Sequence, residues 1–186
     1  MTSLRDRLRA DTAPWHERVD RAYTTLDLRQ AADLGTFLAA QLSVLLAIRC
    51  RPGSHAEAAE ALRTHMVTAL RADLHHLDRA PALPRQARRF DATSVLYILL
   101  GSGLGTRVLH RRWLEATDPA VKGAGSYLGL ASPLDAWRAL CGELLQRPPQ
   151  GAEADRVVGD ACLLFDLHLG ALSALDPAAQ GEPYAA

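Results

Sequence analysis

This sequence predicts an all-α fold, on three observations. The apolar residues are mostly alanine and leucine, which favour helix, while valine and isoleucine are scarce outside short clusters. Aromatic residues make up only 5 % of the chain against a hydrophobic content of 48 %, so the core has to be built from aliphatic side chains. Apolar positions recur at helical spacing along most of the chain. With 186 residues the chain has one domain's worth of sequence and enough length to bury a substantial core. No internal repeat or second domain is visible. The expected organisation is one domain over residues 1–175 and a loose, flexible tail over 176–186.

Leu4, Leu8, Trp15, Val19 and Tyr23 set the rhythm of a first helix over Ser3 to Tyr23. Pro14 falls inside it and should start a new turn or kink it, with Thr12 as a cap. Asp27 to Ile48 reads as a second helix, strongly apolar from Phe37 on. Arg51-Pro-Gly-Ser54 ends it, and Ser54 stands at capping-box distance from Glu57 to open a third helix reaching about Leu77. Arg79 to Asp91, with Pro81, Pro84 and several arginines, reads as a connector. A glycine-bearing helix then continues to about Glu115, followed by a loop or short helix holding Gly123, Gly125 and Gly129. Ser132-Pro133 opens a helix to about Leu145, Arg147 to Gly151 is a turn, and Glu153 to Leu175 forms the last helix.

The net charge is zero and the isoelectric point is near 7, so no global field draws the chain to nucleic acid or to an anionic membrane, and neither is an expected partner. Lys122 is the only lysine among the cationic residues. Cys50, Cys141 and Cys162 are odd in number, far apart and without a CxxC, which argues for inert thiols rather than disulfides or zinc. The N-terminus lacks the long apolar stretch of a signal peptide, and the uninterrupted apolar runs are short for a bilayer span. A cytoplasmic location is the expectation.

Gly101, Gly103 and Gly105 interrupt the apolar run that starts at Val95. Each glycine inside a helix costs about 1 kcal/mol relative to alanine, so three at alternate positions need a compensating reason. One reason is a phosphate-binding turn between a strand and a helix, but the spacing is Gly-x-Gly-x-Gly, and the helical pattern after Thr106 offers no following strand. The other is a helix thinned so that a planar ligand can approach its backbone. His16 is the candidate to hold such a ligand from the opposite side. On a helix it shares a face with Thr12, Val19 and Tyr23. Its ordinary use on such a face is a structural hydrogen bond, and its functional use is as a neutral imidazole ligand to iron.

Three segments in order carry a family resemblance. Leu8-Arg-Ala-Asp-Thr-Ala-Pro-Trp-His16 resembles the proximal signature of heme oxygenases. Val95 to Arg112 is similar to the distal-helix signature of their bacterial, biliverdin-forming, phytochrome-associated branch. The run from Arg156 to Leu169 resembles the closing helix, which brings an aromatic, here Phe165, near the heme. The resemblance covers nearly the whole chain. It implies a heme oxygenase-like helical bundle with heme between a proximal and a distal helix and with His16 as the iron ligand. Gly101, Gly103 and Gly105 would admit the porphyrin, with Thr12 also lining the site, and Arg9 would pair with a propionate. Gly101, Ser102 and Gly105 would shape the space where dioxygen and ordered water act. The implied reaction cleaves heme to biliverdin, carbon monoxide and iron, using O₂ and an external electron donor such as a ferredoxin or another reductase. A phytochrome is the implied acceptor of the product. The alternative from another class is a catalytically weak or inactive heme- or tetrapyrrole-binding protein of the same fold.

The segment departs from the family pattern at Leu100, where many bacterial relatives have glutamate, and at Thr106, often a second glycine. Both are expected to narrow the pocket or to thin its water network. Ser102 replaces an aspartate of animal members, as is normal in the bacterial branch. Elsewhere, Asp73-Leu-His-His76 has carboxylate-x-x-His spacing but no second copy, which points to a solvated helix face rather than a di-iron site. His110 is expected at the outer end of the distal helix, and His55, His65 and His168 show no partner pattern. The arginine clusters at 85–89 and 107–112 read as solvated surface or as a docking patch for an acidic redox partner. Nothing in the sequence around Cys141 suggests an activated nucleophile.

Overall fold

Helix follows helix in the order α1 (Leu4–Tyr23), α2 (Ala31–Ala47), α3 (Ala56–His76), α4 (Ala92–Leu114), α5 (Pro119–Gly123), α6 (Leu134–Gln146) and α7 (Ala152–Ser173). Two three-residue strands, β1 (Ile48–Cys50) and β2 (Arg88–Phe90), are the exceptions to the all-α pattern. The structure, a computed structural model, describes residues 2–84, 86–131 and 133–175. The cap expected at Ser132, the basic position 85 and the tail 176–186 lie outside the described residues.

α7 is the centre of the bundle, packing against α1, α2 and α4. Its inner face carries Val157, Val158, Ala161, Leu164 and Phe165, all buried. α1 is capped by Ser3, whose hydroxyl oxygen accepts a hydrogen bond from the Asp6 amide at 3.2 Å. It runs unbroken across Pro14, in place of the expected restart. Thr12 caps nothing; its buried hydroxyl donates back to the Leu8 carbonyl at 2.6 Å. Pro14 itself is exposed, so the carbonyl that loses its amide partner there is on the solvent side. Packing along α7 both before and after the proline, from Leu4 and Leu8 to Tyr23, carries the helix through.

α2 starts four residues later than the pattern predicts. The amide of Asp27 is taken by the Asp33 carboxylate at 2.8 Å and the Asp27 carboxylate by Arg29, so local side-chain bonds compete with the first helical turn. The cap of α3 is His55 rather than Ser54, with no side-chain capping bond. The His55 ring instead bridges Thr93 on α4 and Glu143 on α6, each at 3.0 Å.

β1 and β2 pair in parallel with Ile48 opposite Arg88 and Cys50 opposite Phe90, inside what the sequence presents as an end of helix and a connector. Ile48 and Phe90 are fully buried, which anchors the pair. The strands set the start of α4. Asp91 caps it by accepting from the Thr93 amide, and its own amide donates to Asp160 on α7 at 2.6 Å. Arg51 and Arg156 complete this cluster by pairing with Asp160 and Asp91.

Asp73 departs from the solvated face expected for it. It is only 1 % exposed, and its two carboxylate oxygens accept from the amides of Ser126 and Tyr127, each at 2.8 Å. His75 and His76 are exposed as expected. The loop that Asp73 holds is packed too closely for side chains: a Cβ on Gly125 would stand 2.5 Å from the Trp113 ring. The Trp113 indole in turn donates to the Val121 carbonyl at 2.8 Å. α4 is the one helix among the described residues that is long and apolar enough to cross a membrane by length and composition, a property the uninterrupted apolar runs alone conceal. Here its flanks pack on α3, α6 and α7.

Candidate functional site

α1 and α4 both rest on α6 and α7, and between them opens a cleft of about 580 Å³. That is within the range of about 300–1,000 Å³ of small-molecule sites. α1 supplies one wall through Arg9, Thr12, His16, Asp20 and Tyr23. α4 supplies the facing wall through Tyr97, Gly101, Ser102, Gly105 and Thr106. Phe165 and His168 of α7 form the back, with Phe37, Gln41 and Tyr127 at the inner end.

Helical spacing explains the α1 wall. Arg9, Thr12, His16, Asp20 and Tyr23 recur every three or four residues and so share one face. The His16 side chain is 59 % exposed, presented to the open cleft rather than buried in the bundle. Its Nδ1 lies 3.0 Å from the Asp20 carboxylate, one turn on, which leaves Nε2 as the nitrogen available to a ligand. Phe165 meets the His16 ring edge-on, with centroids 5.7 Å apart and planes at 74°. The imidazole is thus oriented from two sides while one nitrogen stays open.

The α4 wall is thin at the two glycines that face the cleft. A Cβ on Gly101 would make only ordinary contact, 3.5 Å from the Trp137 ring, and one on Gly105 would meet nothing within 4 Å. Neither glycine is demanded by the protein's own packing. Their effect is to keep the cleft wide opposite His16. Gly103, two residues from each and so on another face, lines a second cavity of about 200 Å³ with Leu62, His65 and His110. It is not brought together with His16. The Ser102 hydroxyl donates to the Leu99 carbonyl at 2.9 Å, and Thr106 donates to the Ser102 carbonyl at 2.9 Å. Leu100 does not narrow the cleft, because it is buried and lines a groove with Leu96 and Leu140 on the opposite side of α4. Thr106 does reach the cleft wall.

The two ends of the cleft differ chemically. Arg9 is exposed at the outer end, near Tyr97, whose phenol is pushed up by burial. Tyr97 packs on Trp137 with ring centroids 5.2 Å apart. The inner end is buried and holds Tyr23, Tyr127 and His168. Tyr23 donates to the His168 carbonyl at 3.1 Å, tying α1 to α7, and burial raises the phenols of Tyr23 and Tyr127 far above their usual range. Burial alone pushes the His168 imidazole down to about 4, so at neutral pH it is uncharged.

The structure brings Arg9, Thr12, His16, Gly101, Ser102, Gly105 and Phe165 together on this one cleft and leaves Gly103 off it. Asp20, Gln41, Tyr97, Tyr127, Trp137 and His168 line it without having been singled out from the sequence. Tyr97 was within reach, one helical turn before Gly101, and so was His168, three residues after Phe165. Gln41 and Trp137 come from helices whose placement no local pattern reveals.

The displaced imidazole predicts an acid sensitivity. An unfolded histidine titrates near 6.5, so the unfolded state binds a proton between pH 6.5 and 4 that folded His168 refuses. The stability it contributes is complete above pH 6.5 and is lost as pH falls toward 4, by up to about 3 kcal/mol. Urea unfolding of wild type and His168→Leu at pH 7 and pH 4 measures this. Carboxylates such as Asp6 and Asp27, held low by hydrogen bonds from Thr2 and Ser3 and from Arg29, act equally in both proteins. The gap between the two proteins should therefore shift by about 3 kcal/mol in favour of the variant at low pH. An unchanged gap would show that His168 titrates normally.

No family model and no curated protein sequence matches this chain.

Proposed function

We propose that the cleft binds heme between α1 and α4 and that the protein is a heme oxygenase of the bacterial, biliverdin-forming type. The observation that carries this reading is the pairing of His16, with one nitrogen open to the cleft, against a facing helix wall whose glycines Gly101 and Gly105 leave space that packing does not require. A lone imidazole suits an iron whose other ligands come from its own macrocycle. The bound heme supplies the iron and the ring that O₂ and electrons from an external donor convert to biliverdin, carbon monoxide and free iron.

The chain's residues hold and orient that substrate. His16 would hold the iron, and Asp20 fixes the orientation of its ring through Nδ1. Phe165 packs against the same ring. Arg9, two turns or about 10 Å from His16 along α1, meets a propionate at the outer end. Gly101 and Gly105 would let a bound porphyrin approach the α4 backbone, and the Ser102 hydroxyl, which donates to the Leu99 carbonyl, could still accept a hydrogen bond in the cleft. Arg107, Arg111 and Arg112 are exposed on α4 and supply a docking patch for an acidic donor such as a ferredoxin.

The test is to add hemin, record the Soret band, and then supply ascorbate or a ferredoxin system in air. Decay of the Soret band with growth of biliverdin absorbance in the red is the expected result. A Soret band that persists identifies a heme binder without turnover, and no Soret shift rejects the site. A companion prediction comes from the α4 wall. Gly105→Ala should stabilise the ligand-free protein by about 0.5–1 kcal/mol, because the helix gains propensity and the Cβ meets nothing. The same methyl group intrudes on the ligand space, so hemin affinity and turnover should fall. Thermal unfolding and hemin titration read the two effects; a variant that is stabilised and binds hemin normally would place the ligand elsewhere.

A further inference from the structure

Three polar side chains converge on the inner end of the cleft without hydrogen-bond partners for their functional groups among the described residues: the Gln41 amide, the Tyr127 hydroxyl and the His168 ring. Tyr127 is 4 % exposed and His168 9 % exposed. No fully enclosed side-chain nitrogen or oxygen among the described residues lacks a partner, so the polar atoms of these residues are open to the space they line rather than sealed in the core; Tyr127 stands between the cleft and the second cavity and lines both. They are also held in place. Tyr127 is fixed through its amide by Asp73 and by ring contact with Phe37 at 6.1 Å, and His168 is fixed through its carbonyl by Tyr23.

A heme in this cleft does not satisfy them. Its propionates are drawn to Arg9 at the other end, seven residues before His16, whereas Tyr23 and the inner end lie seven residues after it. The edge of heme that reaches the inner end carries methyl and vinyl groups and a meso C–H, none of which pairs with an amide, a phenol and an imidazole. Opening the ring at that edge changes this. Each of the two pyrrole units freed there ends in a lactam, with a carbonyl that accepts and an N–H that donates. Gln41 and Tyr127 can donate to such carbonyls, and a neutral imidazole can donate through one nitrogen and accept through the other.

Building on the heme oxygenase reading above, we infer that Gln41, Tyr127 and His168 form a lactam subsite that binds the ring-opened product at the inner end of the cleft. The groups are left unpaired by the substrate and paired by the product, so they discriminate between the two by a few hydrogen bonds.

Equilibrium titrations of the ligand-free protein with hemin and, separately, with biliverdin test this without any turnover. His168→Leu should weaken biliverdin about five- to tenfold, the value of one buried hydrogen bond, and leave hemin within about twofold. Tyr127→Phe removes a single oxygen, keeps the ring contact with Phe37, and should show the same selective loss. Thermal unfolding confirms that each variant is folded. Equal weakening of both ligands, or of neither, would overturn the subsite, leaving these groups as shape or as water anchors. Wild-type protein that binds hemin but not biliverdin would also overturn it while the heme reading stands. Wild-type protein that binds neither would reject the heme reading together with the subsite.

Discussion

His16→Ala should abolish imidazole ligation of added hemin and, with it, biliverdin formation. The effect is expected to be large because the cleft offers no substitute. Among the described residues no group of three or more His, Cys, Asp or Glu comes together as a metal site. His168, the other histidine on the cleft, lies at the inner end, away from the glycine-thinned wall. Losing even the partner that supports a metal-bound histidine costs about 10–100-fold in metal affinity or activity. Loss of the ligand itself should exceed that, with turnover falling below about 1 % of wild type. Asp20→Asn supplies the calibration: it keeps the ligand, removes the charge 3.0 Å from Nδ1, and should fall within the 10–100-fold range. Added imidazole should restore part of the ligated spectrum to His16→Ala. A His16→Ala spectrum identical to that of wild type would assign the ligand to another residue.

The walls of the cleft were legible in the sequence because both are helical faces. A face is a spacing, and spacings of three, four and seven from His16 find Arg9, Thr12, Val19 and Tyr23 directly. The same rule separates Gly103 from Gly101 and Gly105, since two residues turn a helix by more than half a circle. The glycine triplet therefore splits, two residues to the cleft and one to the second cavity. What the sequence hides is whatever depends on contacts between distant segments. The β1–β2 pair joins residues 40 positions apart in runs too short to show a period. Leu100 is apolar and next to a cleft residue, yet only the placement of α3 and α6 reveals that it faces away. Asp73 was misread for the same reason. Its spacing to His76 suggested a shared face, but its partners are backbone amides 53 and 54 residues away.

Those amides make Asp73→Ala the substitution with the largest expected effect on stability. Asp73 sits near the end of α3, and the Ser126 and Tyr127 amides donate to it from the loop that follows α5. Hydrogen bonds to a charged acceptor contribute about 1.5–3 kcal/mol each, and a buried amide left without a partner costs about 1–3 kcal/mol. With two amides affected and partial relief from water entering the space, a loss of about 4 kcal/mol is expected in urea unfolding. Asp73→Asn keeps one acceptor but turns an –NH₂ toward an amide N–H, so it should recover less than half of that loss. The functional consequence follows from Tyr127, whose amide is one of the two and whose ring forms the inner end of the cleft. In Asp73→Asn, the variant that stays folded, the floor of the site should loosen while His16 and Gly105 stay in place. Affinity for biliverdin should then fall more than affinity for hemin. A stability change below about 1 kcal/mol in Asp73→Ala would mean the loop finds other partners, and the buried carboxylate would then not be what holds the inner end of the cleft.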